Sequence, residues 1–156
     1  MLFLCVSPLL ITSARSVCRG AFMNCYALPA VEVGTAVETI GAEAFRATSA
    51  LASTLEFPAL TSLGGSAFRN SAVPGLVIGD LLEEIGTYAF YYATGLVSMT
   101  IGSGLKTIGM HAFSGASELV TLSMGTAVET IGTNAFHSCN KLSSTVSIPN
   151  VIDINA

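Results

Sequence analysis

The chain has 156 residues, of which 51% are hydrophobic and 10% charged, with a formal net charge of −4. That balance gives one domain with a sizeable core and excludes disorder, which goes with few apolar residues. Six scattered Lys and Arg form no basic face, so neither nucleic acid nor an anionic membrane surface is an expected partner. Gly, Ser or Pro every few residues also interrupts any stretch apolar enough to insert into a membrane.

Taken in chain order, the first segment has two readings. Residues 1–11 are apolar and Ser13-Ala14 suits a cleavage site, but no Lys or Arg precedes the apolar stretch, as a signal peptide requires. Residues 9–17 also align position for position with residues 55–63, Leu9 with Leu55 and Val17 with Leu63. Residues 1–8 therefore read as an N-terminal extension and residues 9–156 as one repeat domain. For residues 1–16 a signal peptide and a truncated repeat both stay open.

A phrase ending in Ala-Phe then recurs six times, from Val17-Cys-Arg-Gly-Ala-Phe22 through Ile85-Gly-Thr-Tyr-Ala-Phe90 to Ile131-Gly-Thr-Asn-Ala-Phe136. The phenylalanines are spaced 23, 23, 22, 23 and 23 residues apart. So fixed a period predicts a solenoid, whose units bury their apolar sides against one another. Three residues past each Phe stands a small residue: Cys25, Thr48, Ser71, Ala93, Ala116 and Cys139. Helical spacing around Ala-Phe predicts a short helix or 3₁₀ turn there. Alternating pairs follow (Val31/Val33, Leu55/Phe57, Leu76/Ile78, Met99/Ile101, Leu122/Met124, Val146/Ile148) and predict one half-buried strand per unit. Gly or Pro ends each strand, and an apolar pair three apart, such as Leu105/Ile108, closes the unit. The expected fold is an α/β solenoid with a parallel sheet on one face and short helical or 3₁₀ turns on the other.

These motifs resemble the leucine-rich repeats of the BspA type, which run approximately Ile-Gly-x-x-Ala-Phe-x-x-Cys-x-x-Leu-x-x-Val-x-Ile-Pro. Ile131-Gly-Thr-Asn-Ala-Phe-His-Ser-Cys-Asn-Lys-Leu142 carries the likeness most fully, and it extends over residues 9–156. Thr, Ser or Ala replaces the Cys in four copies, and the Pro is usually Gly. The resemblance implies a cell-surface or secreted module for adhesion and protein binding, with no catalytic residues to carry over.

No residue set points to catalysis. At about 4.8 Å per coil, Cys25 and Cys139 are five coils and roughly 24 Å apart, beyond the ~7 Å limit for a disulfide. They read as small buried residues, while a bridge between Cys5 and Cys18 stays open. His111 and His137 fall on different faces and read as surface residues, and no Gly-x-Ser-x-Gly elbow or metal-ligand spacing occurs. Glu83, Lys106 and Glu129 share one column, and stacked opposite charges there support register only weakly. The expectation is thus a protein that is not an enzyme and uses no cofactor or metal.

Two surface features suit binding. The outward row of the strands (Glu32, Thr54, Glu56, Val77, Ser98, Thr100, Thr121, Ser123, Thr145 and Ser147) is flat and rich in hydroxyls. A secondary candidate is the group Tyr88, Tyr91 and Tyr92, whose rings offer wide contact with a polar tip. The leading expectation is recognition of an unidentified protein or glycan ligand through the strand face, at the cell surface or outside the cell. Alternatives are a structural spacer and an ice-binding surface, the latter requiring unbroken hydroxyl ladders. Ends without a polar capping unit predict either a longer native gene product or self-association.

Overall fold

The computed structural model describes residues 9–143 and the strand residues Asp153–Ile154. Each coil carries two strand segments rather than one. The longer series is β1 (Leu9–Ile11), β3 (Val31–Val33), β5 (Leu55–Phe57), β7 (Gly75–Ile78), β9 (Ser98–Ile101) and β11 (Thr121–Ser123). The shorter series is β2 (Ser16–Val17), β4 (Thr39–Ile40), β6 (Ser62–Leu63), β8 (Glu84–Ile85), β10 (Thr107–Ile108), β12 (Thr130–Ile131) and β13 (Asp153–Ile154). All pairing is parallel, with Leu55, Leu76, Met99 and Leu122 in one register and Ile85, Ile108 and Ile131 in another. The apolar pair read as the end of each unit therefore forms a second sheet. Its two-residue strands repeat at neither helical nor alternating spacing, so periodicity does not reveal them.

One phenylalanine per coil forms the centre. Phe22, Phe45, Phe68, Phe90, Phe113 and Phe136 stack in series at centroid distances of 5.0, 4.9, 5.4, 5.1 and 5.3 Å. Four of the six, Phe45 to Phe113, are wholly buried. Removing one such ring costs about 3–5 kcal/mol through lost burial and the cavity left behind. Beside the rings the small column is closed in the middle coils, where Ala93 and Ala116 are buried and Thr48 and Ser71 share a 2.9 Å hydroxyl hydrogen bond, whereas Cys25 and Cys139 in the outer coils are half-buried rather than buried as expected.

The expected helical or 3₁₀ turns do not form, and no helix occurs among the described residues. At Phe90, alternate amides turn back locally (Ala89 N–H to Gly86, Tyr91 to Tyr88, Ala93 to Phe90), and those between reach the next coil (Tyr88 to Met110, Phe90 to Ala112, Tyr92 to Ser114). The backbone enters the left-handed region two residues before and two after each of the six stacked phenylalanines, for example at Tyr88 (φ 58°) and Tyr92 (φ 51°). A right-handed helix cannot pass through such residues. The fold is thus a β-solenoid with turns in place of helices. The Gly after Ile also has a packing cause in most coils, since a β-carbon on Gly41 would stand 2.4 Å from Arg19 N, and one on Gly132 2.5 Å from Met110 N.

Register is less continuous than burial alone suggests. β3 and β5 are adjacent but not hydrogen bonded, and the same holds for β6 and β8. The first break follows the one-residue delay of the strand after Phe45. The second coincides with the 22-residue interval between Phe68 and Phe90. Buried side chains stay in line across both breaks while the backbone ladder is interrupted.

Left-handed strain gives a direct check. Ala47 has φ 58° and only a methyl side chain to lose. Ala47→Gly should raise stability in urea unfolding by about 1 kcal/mol, because glycine adopts this conformation without steric cost. A loss of stability would show that the turn geometry is different.

Candidate functional site

The longer strands present their even-numbered or odd-numbered neighbours to solvent in turn. Leu55 and Phe57 are buried while Thr54 and Glu56 are exposed, and Met99 and Ile101 are buried while Ser98 and Thr100 are exposed. One outward column runs Glu32, Glu56, Val77, Thr100, Ser123, and a second holds Thr54, Ser98 and Thr121 around Gly75. Thr145 and Ser147 lie outside the described residues. Val77 is 43% exposed at the middle of this face. Gly75 makes a shallow dip, since a β-carbon there would stand 3.1 Å from Thr54 Oγ1 and 3.2 Å from Ser98 Oγ. An open groove of about 410 Å³ lies over the β3–β5 break, lined by Glu32, Thr35, Ser53, Thr54 and Glu56 among others. Glu56, Val77 and Gly75 interrupt the hydroxyl columns, so the unbroken ladder that ice binding requires is not present on β5 and β7.

A second cleft, of about 710 Å³, sits at the β6–β8 break between Ser62, Leu63, Gly65, Glu84 and Thr87. Both cavities thus mark places where the sheets lose a hydrogen-bonded pair.

The tyrosines are brought together with two residues that sequence reasoning kept apart. Tyr88 stacks on His111 at 5.1 Å and 4°, Tyr91 meets Tyr88 edge-on at 5.2 Å and Tyr92 at 4.6 Å, and the Arg69 guanidinium lies 5.2 Å over Tyr91. His111 is half-buried here rather than a plain surface histidine, whereas His137 is exposed. The signal was available: Tyr88 and His111 both stand two residues before their Phe, and Arg69 and Tyr91 one residue after.

Charged groups are mostly spent on holding coils together. Arg15 pairs with Glu38, Arg19 and Arg46 with Glu43, Lys106 with Glu83 at 2.9 Å, and Lys141 with Glu118 at 2.6 Å. These pairs are largely exposed, each contributing about 0–1 kcal/mol. Hydrogen bonds from Arg46 and then Arg19 hold the Glu43 carboxyl below the usual range. The Ser103 amide and hydroxyl, donating to Oδ1 at 2.7 and 3.0 Å, do the same for Asp80. Cys139 donates to the Phe113 carbonyl, and burial pushes its thiol up to about 11, so it is an inert neutral thiol at neutral pH. Cys18 is also free, while Cys25 is disulfide-bonded, a role beyond the small buried spacer expected of it.

A sequence profile of the BspA type leucine rich repeat region matches residues 15–143 in six copies. The chain belongs to the BspA-type leucine-rich repeat family. Among solved structures it is similar to a leucine-rich repeat protein of T. pallidum, with 24% identity, a TM-score of 0.64, and coverage of 88% of this chain and 78% of that one. That likeness establishes the leucine-rich repeat solenoid fold. A leucine-rich cell surface protein from Faecalibacterium prausnitzii matches at 21% identity and a TM-score of 0.45, over 89% of this chain and 47% of that one. No curated protein matches significantly.

The depressed carboxyls set the acid response. A carboxyl lowered on folding adds stability that is full above the ordinary carboxylate range and is lost as pH falls below it. The urea midpoint should therefore decline on acidification through that range, and Asp80→Asn, which keeps an acceptor for Ser103, should flatten the decline. An unchanged slope would mean the Asp80–Ser103 bonds do not couple to folding.

Proposed function

We propose that this chain is a non-enzymatic recognition module of a cell-surface or secreted protein, binding a protein or glycan ligand through the strand face. One observation carries the reading: the outward residues of β5, β7 and β9 project from parallel strands whose inward residues are at most 3% exposed. Side chains on such a backbone lose little freedom on binding, so contact area translates into affinity with a small ordering cost. Small hydroxyls around an exposed Val77, the dip at Gly75 and the groove between Glu32 and Glu56 give this face relief and hydrogen-bonding capacity. Membership of a repeat family typical of surface recognition and adhesion supports the location. So does the disulfide at Cys25, because such bonds persist in oxidising compartments. The mechanism is shape complementarity on a rigid scaffold, with no cofactor and no nucleic-acid partner.

The test is binding of the purified chain to immobilised extracellular-matrix proteins and glycans, compared with a Thr100→Lys/Ser123→Lys double variant. Both positions are exposed, so the variant should fold with stability changed by no more than about 0.5 kcal/mol. The expected result is a ligand whose affinity falls at least tenfold in the variant. Binding that ignores the substitutions would remove the strand face from consideration, and binding to nothing on the panel would favour a spacer role.

A further inference from the structure

Five of the six cations in this chain are engaged by carboxylates of the same chain, and Arg69 is the exception. Its guanidinium instead lies 5.2 Å over Tyr91, and its Nε is buried with no hydrogen-bond partner. His111 Nδ1, in the same cluster, is likewise buried and unpartnered. Buried polar groups are normally matched, so two unmatched ones in a single cluster set this part of the surface apart. The acidic residue in the column of Tyr88 and His111 is Glu43, two coils before Tyr88, and it already bonds Arg46 and Arg19. In a chain of net charge −4 this cluster therefore offers a cation free to meet an external anion.

The rings beside it are arranged for a flat, partly apolar ligand. Tyr92 lies against the backbone of Gly115, where a β-carbon would come within 2.9 Å of the ring. Gly115 itself has φ 77°, so a side chain is disfavoured there on two counts. The Tyr92 ring thus rests on bare backbone on one side while half its surface stays in solvent. From Tyr92 the cluster steps 4.6 Å to Tyr91 and 5.2 Å onward to Arg69, a spacing that one or two sugar units can bridge.

From this geometry we infer a second binding site, on the turn face, for a carbohydrate bearing a carboxylate. The C–H face of a sugar ring packs on the exposed Tyr92 ring, and the carboxylate takes the Arg69 guanidinium beside Tyr91 in a charge-assisted contact. A neutral glycan would leave Arg69 unmatched, and an acidic peptide would forgo the stacked ring. The site is separate from the strand face, so the two readings stand or fall independently.

The test titrates the full chain with tetragalacturonate, neutral maltotetraose and tetraglutamate by calorimetry. Saturable binding of tetragalacturonate is expected, at least tenfold tighter than either comparison compound. Tyr92→Ala and Arg69→Gln should each weaken it at least tenfold, while Thr100→Lys on the strand face should leave it unchanged. Tyr92 is half exposed, so its variant decides the matter if Arg69→Gln disturbs folding. Failure to bind tetragalacturonate, equal binding of maltotetraose, tetraglutamate binding as tightly, or indifference to Tyr92→Ala would each overturn the inference.

Discussion

Ring-on-ring stacking of one phenylalanine per coil is the constraint on which this solenoid rests. Centroid steps of 4.9–5.4 Å match the spacing of hydrogen-bonded parallel strands, so rings and backbone ladders enforce one pitch. Everything else is fitted to that pitch. The residue three past each Phe must be small, and in most coils the Gly after Ile must leave room for the preceding coil. Even the left-handed turns follow, because they bring alternate amides round to bond the next coil while the ring stays inside.

The repeat length, the buried ladders and the outward strand positions were all legible because burial imposes them at every coil. What was not legible depends on backbone geometry. Two-residue strands such as Thr107–Ile108 are too short to show a period. Left-handed turns announce themselves through Gly20, Asn24, Asn70, Gly115 and Asn134, types that tolerate positive φ, but Glu43, Tyr88, Ala47 and His111 at equivalent positions conceal the pattern. Local spacing that looks helical is overridden there by hydrogen bonds between coils. Likewise the Arg69–Tyr91–Tyr88–His111 cluster becomes visible only when residues are aligned by their offset from Phe across three coils.

The same architecture explains why the surface divides as it does. Carboxylates and cations sit mainly where neighbouring coils can pair them, which leaves the strand face nearly uncharged apart from Glu32 and Glu56, and leaves Arg69 among aromatic rings. The two clefts described above lie where the ladders are interrupted, at the β3–β5 and β6–β8 steps. Each interruption adds shape to an otherwise uniform surface.

The central claim is that stability is carried by contact between successive rings, and a pair of double-mutant cycles in urea unfolding tests it directly. Replacing Phe45 and Phe68 by Leu, singly and together, should give a coupling of about 0.5–1.5 kcal/mol for rings 4.9 Å apart. The same cycle on Phe45 and Phe113, three coils apart, should be additive within about 0.5 kcal/mol. Additivity at the neighbouring pair, or equal coupling at both, would contradict a stack acting ring by ring.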